Sequence, residues 1–273
     1  MNAKYFLVLA ALLPAMAARA QNTYDEGTSF AARASAEADV KLARRFHLTV
    51  SEENRTYSNG QTRFYTGAGL EYKFGKRLKT GVDYILINRF KDSEWDTRHR
   101  LKYWISGDVK AGDWKFSLKE QLQLTHRTDN LNTYQNPRNA LALKSRAGVK
   151  YGGFGAWAPY ASAELRVGLN NAAYSATYNA SATTSAGRFT GETFLGYSDA
   201  RADRLRVEVG VTWKITNKQS LDLYLMGDRY NDKKVDTNRE TSESWAENGL
   251  ILKHIDYYKG NVLWGGVAYK ISF

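Results

Sequence analysis

The sequence predicts an all-β chain folded as a transmembrane antiparallel up-and-down β-barrel of about 12 strands, with 10 as the alternative. Three observations predict it. From residue 28 onward the apolar positions recur with a period of two, which places one apolar and one polar face on each strand. The alternating segments run for about 10 to 14 residues, longer than the usual soluble strand and long enough to cross a bilayer with tilt. Finally, 18 Tyr, 7 Trp and 11 Phe against only 3 Pro make a strand-favouring composition, rich in residues suited to membrane interfaces.

The first residues are set aside before the strands are traced. Lys4, the apolar run from Phe6 to Met16 and the small-residue site Ala18-Arg19-Ala20 together read as a secretory signal peptide over residues 1–20, leaving residues 21–273 as one barrel domain. The run is too short for a membrane anchor and is broken by Pro14. No later segment approaches a helical span. Cysteine is absent, so stability must come from architecture rather than bridges. The formal charge is +11, or +9 without Lys4 and Arg19. In an exported protein that balance points to lipid head groups, lipopolysaccharide phosphates and small anionic solutes, and no nucleic-acid partner is expected.

The first strand sets Phe30, Ala32, Ala34, Ala36, Ala38, Val40 and Leu42 against Arg33, Ser35, Glu37, Asp39 and Lys41. The same alternation follows in Phe64 to Phe74, Leu78 to Leu86, Leu101 to Ile105, Leu141 to Tyr151, Ala161 to Leu169 and Leu205 to Ile215, and it closes the chain in Leu263 to Phe273. No helix buries such sets on one side. Short connections are expected at 43–45, 75–77, 110–113, 152–155 and 216–218. Longer ones are expected at 56–62, 90–96, 128–138, 170–187 and 230–246. Short turns at one end and long loops at the other describe a meander. Closure is required in lipid, where each unpaired backbone group costs several kcal/mol.

Eleven strands can be drawn, and a bacterial single-chain barrel is expected to have an even number. The missing strand is sought at 247–257, at 188–197 or in a split of the first strand. Trp114, Tyr151, Trp157, Trp213 and Phe273 are expected at the membrane interface as part of an aromatic girdle.

Two stretches carry a family resemblance. Trp95 to His126, with Arg98-His99-Arg100 and the hairpin ending in Trp114 to Leu118, is followed by Arg138 to Leu141 and Lys144-Ser145-Arg146. This resembles an uncharacterised outer-membrane barrel family common in Bacteroidota and labelled only as a domain of unknown function. Pro159 to Leu165 and the terminal strand fit it as well, while the loops at 170–187 and 230–246 are longer than the family leads one to expect. The resemblance implies fold and location and carries no activity. The ending Tyr269-x-Ile271-x-Phe273 also looks like the C-terminal signal of bacterial outer-membrane barrels, which implies the barrel-assembly machinery as a partner and a Gram-negative outer membrane as the location.

Function should lie on the polar face. The candidate lumen-lining charges are Lys79, Asp83, Arg89, Arg98, Arg100, Lys102, Lys119, Lys144, Arg146, Lys150, Glu164, Arg166, Arg204, Arg206, Glu208 and Asp222, with Lys115 and Lys214 beside them. Cations outnumber anions, which points to a narrow, weakly anion-preferring diffusion pore. The alternatives are a plugged structural or binding barrel, whose interior charges simply satisfy one another, and an outer-membrane lipid-modifying enzyme. Glu120 breaks the pattern by falling in register with Trp114, Phe116, Leu118, Leu122 and Leu124; a bulge at 119–121 that turns it inward is the favoured expectation, with protonation or a basic neighbour as the alternatives.

No catalytic, cofactor or metal site is expected. Of His47, His99, His126 and His254, His99 and His126 each sit near a strand end on or beside the apolar face, and neither has a Ser and a carboxylate in an evident shared register. Asp92 to Asp96 lacks the spacing of a calcium loop, and Gly152-Gly153-x-Gly155 is a strand connection rather than a phosphate cradle.

Overall fold

In the computed structural model the described residues are 23–91, 94–129, 131–175, 177–179, 188–190, 194–237 and 252–273; the expected signal peptide lies outside them. Among these residues eleven strands close into a barrel. They are β1 (Thr23–Lys41), β2 (Phe46–Tyr57), β3 (Thr62–Lys73), β4 (Leu78–Lys91), β5 (Glu94–Ala111), β6 (Trp114–Arg127), β7 (Asn139–Tyr151), β8 (Trp157–Asn171), β11 (Asp199–Lys214), β12 (Gln219–Thr237) and β13 (Leu252–Ser272). Two short strands, β9 (Thr177–Asn179) and β10 (Arg188–Thr190), pair only with each other. Among the described residues no helix is long and apolar enough to cross a membrane.

Neither 12 nor 10 strands are found. Neighbours are antiparallel throughout except at the seam, where β1 and β13 run parallel, with Arg33 opposite Gly266 and Ala36 opposite Tyr269. The even-number rule presumes that both chain ends lie on one side, and a parallel seam removes that premise. The strand sought at 188–197 contributes β10, which is outside the barrel, and the one sought at 247–257 enters β13, which runs unbroken from Leu252 to Ser272. β1 is likewise a single strand. Consequently Thr23 lies at the long-loop end and Phe273 at the short-turn end, where its backbone N–H donates to Asp39 O at 2.8 Å.

Several loops shrink against expectation. β2 runs to Tyr57 and β3 starts at Thr62; β4 and β5 are separated only by residues 92 and 93; β12 continues to Thr237. The long connections that persist include 128–138 and the one between β8 and β11. They gather beside the extended β12–β13 hairpin, where Ala172, Val235 and Ile255 form a buried cluster with Tyr174, Phe194 and Tyr257. Lys233 Nζ ties that corner together, 2.7 Å from Asp199 Oδ2 and 2.9 Å from Ala172 O.

The outer wall is the apolar face. Leu70, Val82, Tyr103, Leu122, Val207, Leu225 and Leu263 are all exposed on it. At the short-turn end aromatic pairs line the outer wall: Phe46 and Tyr72 lie tilted at 4.9 Å, Trp114 and Tyr151 tilted at 4.8 Å, and Trp157 stacks parallel to Trp213 at 5.5 Å. Toward the other end Phe64, Phe90 and Trp95 form a second group.

Candidate functional site: the charged barrel interior

Alternation along each strand carries its charges to the inner face. β4 presents Lys79, Asp83 and Arg89 there; β5 presents Arg98, Arg100 and Lys102; β6 presents Lys119, and β7 presents Lys144, Arg146 and Lys150. On the opposite side β8 adds Glu164 and Arg166, β11 adds Arg204, Arg206 and Glu208, and β12 adds Asp222. Because the register sets charged residues side by side, these groups form a lattice rather than isolated charges. Lys144 lies 3.2 Å from Glu164, Arg206 lies 3.4 Å from Glu164 and 2.9 Å from Asp228, and Arg146 reaches past β8 to Glu208 at 3.0 Å. Lys150 donates to Thr212 Oγ1 at 2.6 Å.

Periodicity missed several members. Glu53 holds Arg33 and Arg55 together, Glu71 holds Lys79 at 2.8 Å, and Asp96 holds Arg89 at 2.6 Å. Glu53 and Arg55 escaped notice because the outer face of β2 turns polar at Glu52, Asn54 and Thr56, so the strand has no long apolar set. Asp96, read as part of a loop, is an inward strand residue.

The interior is also lined by aromatics laid flat on glycine. A Cβ on Gly81 would come within 2.5 Å of the Trp104 ring and one on Gly210 within 2.8 Å of the Tyr160 ring, while one on Gly266 would overlap Tyr224. The absence of a side chain is what lets each ring lie against the wall instead of projecting inward. Tyr224, Met226, Val262 and Trp264 thereby form a packed cluster on β12 and β13, and Tyr65, Ile85 and Ile87 form a smaller one on β3 and β4.

Burial separates the two signs of charge. In the pairs along the lumen the cation is generally the less covered partner: Lys79 keeps 42% of its side-chain surface against 9% for Glu71, Arg146 41% against 9% for Glu208, and Arg204 29% against 3% for Asp228. Arg206, at 12% against 14% for Glu164, departs from this order, and toward the long-loop end Arg98 at 21% against 34% for Asp129 and Lys233 at 9% against 30% for Asp199 reverse it. The carboxylates sit under the guanidinium and ammonium groups, so the surface left open inside the barrel is cationic.

Glu120 corrects an expectation. Neither the β5–β6 nor the β6–β7 ladder has a register shift, so no bulge turns it inward. It stays on the outer wall between Ile105 and Ser145, whose Oγ donates to Glu120 Oε2 at 2.6 Å. A directly opposed hydroxyl satisfies part of the carboxyl in place, and the ladder keeps its hydrogen bonds.

The histidines make no nucleophile relay among the described residues. His47 lies between Asp39 and Lys73, and His254 faces Asp236 and Asp256. On the outer wall His99 contacts the Tyr84 hydroxyl at 2.6 Å and His126 the Asn139 side chain at 2.8 Å; among the described residues no serine hydroxyl hydrogen-bonds either ring. Among the described residues no three His, Asp or Glu side chains gather as a metal would require.

A sequence profile described as a protein of unknown function, DUF2490, matches residues 34–239. The chain belongs to that family. The matched span includes Trp95 to Tyr151 and Pro159 to Leu165, the stretches that carry the resemblance, whereas the terminal strand lies beyond it. No curated protein matches the chain. Membership in DUF2490 brings no chemistry with it, and the interior must be judged on its own geometry.

Proposed function

We propose that this DUF2490 chain is an outer-membrane β-barrel of a Gram-negative bacterium, and that its lumen is a narrow, weakly anion-preferring diffusion pore. The single observation that carries the pore is the burial order of the lumen pairs, which leaves cations facing the open interior. A low-dielectric wall concentrates their field on the path of a solute.

The membrane reading is supported by the height of the apolar band. On β3 the outer face runs from Phe64 to Phe74, the second just beyond the strand end, an interval of about 33 Å at the usual strand rise. Tilted by about 40°, it spans about 25 Å, the height of the apolar band of an outer-membrane barrel. Lipids and lipopolysaccharide would then contact this wall. The exposed Phe273, at the short-turn end, is available to barrel-assembly machinery.

Planar-bilayer recording of the refolded protein in a salt gradient tests the pore. Discrete channels with a reversal potential favouring anions are expected, and Arg146→Glu should shift that potential toward cations. Silence from a correctly folded barrel would reject the pore in favour of a plugged or binding barrel.

A second expectation tests the membrane itself. Glu120 lies midway between Trp114 and His126 on β6, hence near the centre of the band. Glu120→Leu should leave stability in liposomes equal or higher, and Glu120→Lys should lower it by about 2 to 4 kcal/mol, the cost of a cation at mid-bilayer. Equal urea midpoints for the Leu and Lys variants would contradict a lipid-facing position.

A further inference from the structure

Many cations of the lumen have a carboxylate partner, whereas three neighbouring cations on β5 and β6 do not. Arg100 and Lys102 occupy consecutive inward positions of β5, opposite Thr125 and Gln123 of β6. Arg100 donates to the Thr125 hydroxyl at 3.1 Å, and the Lys119 ammonium stands 4.3 Å from the centre of the Trp104 ring. Among the described residues none of the three cations lies within ion-pairing distance of a carboxylate, although each keeps surface open to the interior. Asp83, the carboxylate nearest in register, sits across from Lys102 without closing a pair with it.

A second observation is independent of charge. Trp104 is 6% exposed, and among the described residues its indole N–H has no acceptor. A buried donor without an acceptor costs about 1 to 3 kcal/mol, so its retention beside unpaired cations calls for a ligand that accepts hydrogen bonds. The Trp104 ring cannot turn away freely, since it lies on Gly81.

We propose that this wall is a binding site for a small oxyanion carrying two negative charges. Three cations less the one carboxylate leave the patch with two uncompensated positive charges, and Trp104 supplies a directional donor. Charge-assisted hydrogen bonds from Arg100, Lys102 and Lys119 would give such an ion several contacts at once. On β8, β11 and β12 the cations Arg206 and Arg204 are already engaged by Glu164 and Asp228, so the uncompensated charge lies on the β5–β6 side. The inference rests on the reading of the lumen as solvent-filled and deepens it: the pore would retain a divalent oxyanion at this point rather than only pass anions.

Calorimetric titration of the refolded full chain in detergent micelles, with sulfate as the probe and chloride as the monovalent comparison, tests it without requiring a current. Saturable sulfate binding is expected, with chloride much weaker. Lys102→Gln and Lys119→Gln should each weaken sulfate about tenfold, the scale of one lost charge-assisted contact. Trp104→Phe keeps the ring on Gly81 and should weaken binding by removing only the N–H. Arg229→Gln, on the outer wall, should leave it unchanged. If Lys102→Gln does not fold, Trp104→Phe carries the test. No saturable binding, equal binding of chloride, or full sulfate affinity in the folded variants would overturn the site. Sulfate binding by a barrel silent in bilayers would keep the site and reject the pore; conduction without sulfate binding would do the reverse.

Discussion

Arg206→Met is expected to destabilise the barrel by about 3 to 5 kcal/mol, the cost of removing one partner from a buried charge network. Arg206 is the cation that joins two anions, Glu164 on β8 and Asp228 on β12, across the intervening strand β11. Asp228 keeps only 3% of its side-chain surface, so without Arg206 it is left with Arg204 at 3.6 Å as its remaining ion pair. Glu164 retains Lys144 at 3.2 Å and should tolerate the loss better. The double variant Arg206→Met, Asp228→Leu should therefore recover much of the lost stability, because removing both charges removes the unpaired one. Urea midpoints and the temperature at which the folded band is lost in gel electrophoresis measure both. If the single variant were as stable as the parent, the lattice would be solvated ornament and the lumen far wetter at β11–β12 than its burial indicates.

The Arg206 bridge marks the limit of what alternation reveals. Periodicity places Arg206, Glu164 and Glu208 on one face, since face is a local property of a strand. Which of them meet depends on register between β8, β11 and β12, and register is set by turns and bulges far from the residues concerned. The same limit explains the seam. The terminal strand is legible in Leu263 to Phe273, but nothing local says that its neighbour is β1 running in the same direction. Glu120 meets the same limit. The local pattern offers a bulge as the remedy for a misplaced carboxylate, whereas the actual partner, Ser145, stands on the next strand. The basic character of the interior was readable from composition. The covering of its carboxylates, on which the pore reading depends, required the packed structure.

Gly265 and Gly266 allow the inner packing to be tested with adjacent residues of β13 and one kind of change. A Cβ added at Gly265 meets nothing within 4 Å, whereas one at Gly266 collides with the ring of Tyr224. Gly265→Ala is thus expected to be neutral or mildly stabilising, because alanine restricts the unfolded chain in an extended conformation that it can adopt. Gly266→Ala should cost about 1 to 3 kcal/mol, the range for overpacking a filled site. The displaced ring would have to leave the cluster with Met226, Val262 and Trp264 and swing into the lumen. The two substitutions add the same atom, one residue apart, so composition and strand propensity cancel between them. Unfolding in urea reads the stability difference, and bilayer recording reads the obstruction: Gly266→Ala should conduct less than Gly265→Ala when both are folded. Equal stability and equal conductance would mean that Tyr224 is free to move, and the aromatic lining would then not be what holds this wall of the lumen in shape.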